Sequence, residues 1–262
     1  MSVLTPIKGT QAVYRLNPVS KLAASAIISL TLVLSIDWVS AGVALALQIV
    51  IFFWAGIGLR PFFRRTVPIW IAAALGGFTM LLYGRASGET YFQFLLIQIS
   101  DGSIELAIAT TLRMLAIALP AVVLFITIDP TDLADGLAQI VRLPARFVLG
   151  ALAGLRLIGL FAEDWRSLEL ARRARGIADR GRLRRFWGQA FALLVLSIRR
   201  GAKLATAMEA RGFGAPIERS WARESRLRSA DGVLVALAIA ISATAVTVSV
   251  LTGNWNFIAA QS

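Results

Sequence analysis

The sequence predicts an all-α membrane protein of about five transmembrane helices, with a cytoplasmic insertion of long amphipathic helices between the fourth and the last span. Three observations carry that expectation. Mean hydropathy is +0.72 and only 16% of the 262 residues are charged, where a soluble domain carries about a quarter. Five largely apolar stretches approach 20 residues or exceed it, enough at ~1.5 Å per residue to cross a ~30 Å hydrocarbon core. Finally, the Lys and Arg residues that leave a formal net charge of +12 are concentrated between those stretches.

The elements follow in order. Met1 to Lys21 is polar and contains Pro6, Asn17 and Pro18, so the first span, about 20–36, is expected to be its own insertion signal. The second is AGVALALQIVIFFWAGIGL (41–59) and the third TVPIWIAAALGGFTMLLYG (66–84). The fourth is SIELAIATTLRMLAIALPAVVLFITI (103–128), and the last, GVLVALAIAISATAVTVSVLT (232–252), holds no charge. Two nine-residue runs, YFQFLLIQI (91–99) and AFALLVLSI (190–198), are too short for a helical crossing and are expected to be interfacial or protein-packed helices. Small residues at 72–77 (AAALGG) and 150–154 (GALAG) permit close helix approach, within the chain or against a partner.

With the amino terminus in the cytoplasm, segments 1–21, 60–65 and 129–231 hold 25 of the 27 basic residues, leaving Arg85 outside and Arg113 within the fourth span. The short segments obey the positive-inside rule, so the net charge reports sidedness and attraction to anionic lipid rather than nucleic acid. The expected division is a membrane region 1–128, a cytoplasmic helical region 129–231, and a final span with a short external tail, 232–262. Absence of Cys and His excludes disulfides, thiolate metal sites, imidazole catalysis and His-ligated metals.

The insertion opens with DPTDLADGL. Asp129 before Pro130 suits a helix start, and Leu133, Leu137 and Ile140 fall at helical spacing. Pro144 starts another helix. Its apolar beginning, 146–161, contains Arg146 and Arg156, which argue for an amphipathic or buried helix rather than a further span. Beyond it, Phe161, Trp165 and Leu168 form an apolar stripe, while Glu163, Arg166, Glu169, Arg172 and Arg173 cover another face. Glu169 and Arg173 make an i,i+4 pair. Trp165 is expected to pack between helices and Trp187, beside RLRRFW, to anchor at the headgroups.

The helix is expected to end at Gly176, with Arg175 against the terminal carbonyls. Ala-Arg-Gly then recurs at Ala210, Arg211 and Gly212, with Arg211 lying 36 positions after Arg175. One such triplet is merely a small residue, a cation and a C-cap. Two at the ends of two amphipathic helices form a pattern.

On EDWRSLELARRARG and GAKLATAMEARGFG, with NPVSKL before the first span, DPTDLADGL after the fourth and LRSAD before the last, the chain resembles the transmembrane T component of energy-coupling factor (ECF) transporters, the family that includes CbiQ-type proteins. The resemblance implies a non-catalytic, multi-pass subunit of a bacterial-type plasma membrane, with 129–231 as its coupling-helix region. It implies that Ala174, Arg175, Gly176 and Ala210, Arg211, Gly212 dock in grooves of two cytoplasmic ABC-type ATPase subunits. ATP is then bound by those partners, and this chain carries no cofactor. The resemblance further implies a small membrane S component that binds the vitamin or transition-metal substrate and rests on the apolar faces of the coupling helices.

The residues themselves leave other readings to weigh. Lys8, Lys21 and Lys203 follow Ile7, Ser20 and Ala202, so no Gly-Lys-Ser/Thr phosphate loop is present. The permease of a conventional ABC importer would also meet ATPases but needs its own translocation path. A membrane-embedded lipid or phosphate transferase could use Asp129, Asp132 and Asp135, the last two sharing a helix face, although first-turn carboxylates are also ordinary dipole partners. Arg113 is costly inside a span and is expected to make an interhelical, snorkelling or S-component contact.

Overall fold

A computed structural model describes residues 16–35, 37–54, 59–84, 87–94, 97–176, 181–215 and 220–253. Lys8, Arg15, Arg85 and residues 254–262 of the expected tail lie outside them. The helices are α1 (Pro18–Leu34), α2 (Trp38–Trp54), α3 (Leu59–Tyr83), α4 (Asp101–Ile126), α5 (Pro130–Gln139), α6 (Ala145–Ala174), α7 (Arg182–Ala210) and α8 (Ser229–Leu251).

This is an essentially all-α, multi-pass membrane protein. The five expected spans overlap α1, α2, α3, α4 and α8, with positions 36 and 55–58 of the first two outside the described residues. Helices α3, α4 and α8 contain segments long and apolar enough to cross a membrane, and α1 and α2 are shorter apolar helices. By length and composition α6 also qualifies.

One expectation is corrected. The run at 91–99 is not a helix: Thr90–Phe94 (β1) and Ile97–Ser100 (β2) pair antiparallel, Phe94 with Ile97 and Thr90 with Ser100, and the register slips between Thr90 and Phe92. Aromatic and β-branched residues suit a pleated ribbon, and a hairpin satisfies backbone groups within nine residues where a helix of that length leaves most of its ends open.

The chain divides into two compact units, one drawn from Ala134–Ser225 and the other from Pro6–Leu133 and Arg226–Ser262. The second unit contains α1–α4 and α8. Its core is built from Ala24, Ile28 and Leu32 of α1, Ala44 and Leu45 of α2, Ala73 of α3, Leu115, Ala116 and Leu119 of α4, and Ala238, Ile241 and Ala245 of α8. Half of these twelve are alanines, so the helices meet nearly backbone to backbone, as packing in lipid favours.

The small residues at 72–77 serve this packing. A Cβ on Gly77 would collide with Thr111 Oγ1 and lie 3.1 Å from the Ala107 carbonyl oxygen. That hydroxyl is itself tied to the same carbonyl at 2.8 Å, so it has little freedom to retreat. Gly150 and Gly154, by contrast, have nothing among the described residues within 4 Å of an added Cβ. Gly77→Ala is therefore expected to destabilise the protein by about 1–3 kcal/mol through overpacking. Gly150→Ala is expected to be neutral or to stabilise α6 by about 0.5–1 kcal/mol. Unfolding of the two variants in detergent micelles reads the contrast, and equal effects would refute this assignment of the two glycine sets.

Candidate functional site

The unit drawn from Ala134–Ser225 is built on two long helices. Pro144 sits just before α6, and Ala134, Ala138 and Val148 form a small buried cluster flanked by Leu137, Leu152 and Trp221. The amide of Gln139 donates to the Arg223 carbonyl at 2.8 Å and accepts from the Ser225 N–H at 2.9 Å, which ties the returning segment to α5.

Helices α6 and α7 brace one another through charge and aromatic contacts. Arg200 makes a two-pronged contact with Asp164 at 2.6 and 3.2 Å. Glu169 Oε1 accepts from both Arg173 and Arg185 at 2.8 Å, so the expected i,i+4 pair exists and also reaches across to α7. Trp165 meets Phe186 with ring centroids 5.7 Å apart, in the packing role expected of it. Trp187 is exposed. Gly188 faces the Arg172 guanidinium, which a Cβ there would approach to 3.0 Å.

The expectation that residues 146–161 would be amphipathic or buried is met only at Val148. Phe147, Leu155 and Ile158 are exposed. On α7, Leu183, Trp187, Phe191, Leu194 and Ile198 are exposed too, spaced three or four residues apart. They form one apolar stripe that nothing among the described residues covers. The run at 190–198 thus belongs to an amphipathic helix with an unfilled face.

Both Ala-Arg-Gly triplets are helix ends of the same construction. Ala174 is the last residue of α6, Arg175 is its C-cap, and Gly176 adopts φ +65°. The Gly176 N–H donates to the Arg173 carbonyl at 3.0 Å. Ala210, Arg211 and Gly212 repeat this on α7, with Gly212 at φ +75° and its N–H on the Glu209 carbonyl at 2.9 Å. There the Phe213 N–H also reaches the Met208 carbonyl at 2.9 Å, which completes the paired closing bonds of a Schellman end. Positive φ explains each glycine. Arg175 and Arg211 are exposed, and a Cβ on either glycine would meet nothing within 4 Å among the described residues.

The acidic residues of the insertion have plainer roles. Asp129 Oδ1 accepts from the Thr131 N–H at 2.7 Å and so caps α5. Asp132 lies exposed in the first turn and Asp135 is half-buried. Among the described residues no cluster of three or more acidic groups could hold a metal ion.

In the membrane unit, Arg113 donates to the carbonyl of Ser35, the C-cap of α1. The same place contains a carboxylate that sequence reasoning missed. Asp37 is buried and accepts from the Ser40 N–H at 2.6 Å, the Ser40 hydroxyl at 2.7 Å and the Ser249 hydroxyl at 2.6 Å. It joins the start of α2 to the end of α8. The signal for it was Asp-x-x-Ser opening the second apolar run, an N-cap pattern.

Residues 9–221 match the family described as CbiQ, cobalt transport protein. The chain is 28% identical over 196 residues to the energy-coupling factor transporter transmembrane protein EcfT of Exiguobacterium sibiricum, across 70% of this chain and 72% of that protein. It is 26% identical over 225 residues to EcfT of Limosilactobacillus fermentum, covering 81% and 80%. With EcfT of Brevibacillus brevis it shares 23% over 247 residues, covering 89% and 92%.

Proposed function

The chain belongs to the EcfT/CbiQ-type family of ECF transporter transmembrane components, and on that premise we propose that it couples two cytoplasmic ABC-type ATPase subunits to a small substrate-binding S component for uptake of a vitamin or a transition metal. The observation that carries the reading is the pair of matching helix tips, each an exposed arginine on a glycine-closed end, borne by two helices braced against one another. A guanidinium offers several N–H groups in a planar fork, which suits carboxylates and helix-end carbonyls on a partner, and the small Ala174 and Ala210 allow close approach. One tip serves each ATPase subunit.

In this reading the amino terminus and the 134–225 unit face the cytoplasm, ATP is bound and hydrolysed by the partners, and this chain supplies neither catalysis nor a cofactor. The apolar stripe of α7 and the open face of α6 lie toward lipid and the S component. Purifying the tagged chain in mild detergent from its own host is expected to recover ABC ATPase subunits and a small hydrophobic membrane protein. Recovery of the chain without any ATPase, under conditions that keep it monodisperse, would overturn the proposal.

A further inference from the structure

NPVSKL and LRSAD lie at opposite ends of the sequence, yet they meet in the membrane unit. Asp231, at the start of α8, accepts from the Asn17 N–H at 2.6 Å and the Ser20 hydroxyl at 2.9 Å through Oδ1, and from the Arg228 N–H at 2.7 Å through Oδ2. The Asn17 side-chain amide donates to the Arg226 carbonyl at 3.3 Å, while its Oδ1 caps α1 by accepting from the Val19 N–H at 2.9 Å. One turn on, the Lys21 ammonium donates to the carbonyl and the hydroxyl of Thr127 at 3.1 and 2.9 Å. Lys21 is 1% exposed and Asp231 3%.

The place of this cluster along the chain gives it meaning. The chain leaves for the 134–225 unit shortly after Thr127 and returns at Arg226. The first turn of α1 therefore holds the outgoing connection through Lys21 and the incoming one through Asn17 and Asp231. An ordinary helix start needs only a cap. Burying a lysine and an aspartate costs stability unless each is fully bonded, and apolar side chains would seal the same space more cheaply. What polar bonds add is a fixed position for the groups they join.

We propose that Asn17, Lys21 and Asp231 form a fixed anchorage that hands displacement of the 134–225 unit to α1, α4 and α8 together, making them positioning residues for ATP-driven transport. The proposal rests on the coupling reading above. The tips take hold of the ATPases, and the anchorage keeps both connections from swinging when the tips are moved. Losing it should leave the tips able to bind while loosening the link between them and the membrane helices.

The absence of native cysteine makes the test direct. Nitroxide labels on Ala26→Cys of α1 and Ala205→Cys of α7, both exposed positions, report the distance distribution in the complex purified with its partners and placed in lipid nanodiscs. Lys21→Met and Asp231→Asn are each expected to broaden that distribution at least twofold while ATPase recovery stays within twofold of the unmutated chain. An unchanged width in both variants would overturn the anchorage. Loss of ATPase recovery without broadening would overturn it too, by making the cluster part of docking. If the charge variants fail to fold, Asn17→Ala and Ser20→Ala remove only hydrogen bonds of uncharged side chains and are read by the same two measurements. Failure of the coupling reading looks different, because the unmutated chain then recovers no ATPase at all.

Discussion

Replacing Arg175 and Arg211 together by alanine is expected to abolish ATPase recovery and ATP-driven uptake while leaving the chain folded in the membrane. Both side chains are exposed at helix ends, so their removal should change stability by less than about 0.5 kcal/mol. At an interface, a well-seated arginine contributes about 2–4 kcal/mol, or roughly 30- to 1,000-fold in affinity for each tip. Each single variant should therefore weaken the complex and the double should lose it. Arg175→Lys and Arg211→Lys should fall between, since lysine keeps the charge but not the planar fork. Arg166→Ala, which removes an exposed charge from α6 away from its tip, should behave as the unmutated chain. Full recovery of ATPases and normal uptake in the double variant would remove the assignment of both tips.

Asp37→Ala is expected to cause the largest loss of stability. The carboxylate accepts three hydrogen bonds, from two donors on Ser40 and one on Ser249, and Arg113 stands on the same α1–α2 connection through Ser35. Its removal leaves buried donors unsatisfied and the guanidinium without a nearby anion, a loss of about 3–5 kcal/mol for a buried charged group stripped of its partner. Asp37→Asn keeps an acceptor and should cost less. Ser249→Ala, which removes one interhelical bond, should cost about 1–2 kcal/mol. Combining Asp37→Asn with Arg113→Gln should cost less than the sum of the two, because they share one cluster. Denaturation in mixed micelles ranks the series, and an Asp37→Ala chain as stable as the Ser249→Ala chain would contradict this account.

The membrane helices were legible because lipid imposes one simple requirement, a run of apolar residues of fixed length, which α3, α4 and α8 meet and which the shorter apolar helices α1 and α2 approach. The tips were legible because Gly176 and Gly212 signal positive φ and the adjoining arginines suit a helix C-terminus. The hairpin was not legible. A short apolar run such as 91–99 fits strand and helix alike until its pairing partner is known. The same limit hid the role of Asp37, which reads as a loop carboxylate until α8 arrives to donate from Ser249. Lys21 counted toward cytoplasmic charge by its place in the sequence, yet it is buried, because its partner at Thr127 lies 106 positions away. Local pattern revealed elements and caps. Pairings across α1, α4 and α8 depended on tertiary structure.

Those long-range pairings also set an order of manufacture. Asn17 meets Asp231 across 214 positions, and Asp37 meets Ser249 across 212. A ribosome adding about 5–20 residues per second needs on the order of 10–40 s to make that much chain. For most of that interval α1 and α2 have been made while α8 has not. Lys21 finds Thr127 once α4 is complete, but Asn17, Ser20 and Asp37 wait for the last helix. The final span thus closes the molecule at both ends in one event. A chain halted before it would keep the two Ser40 bonds to Asp37 but lack the one from Ser249, a chemical difference by which an unfinished molecule stands apart from a finished one.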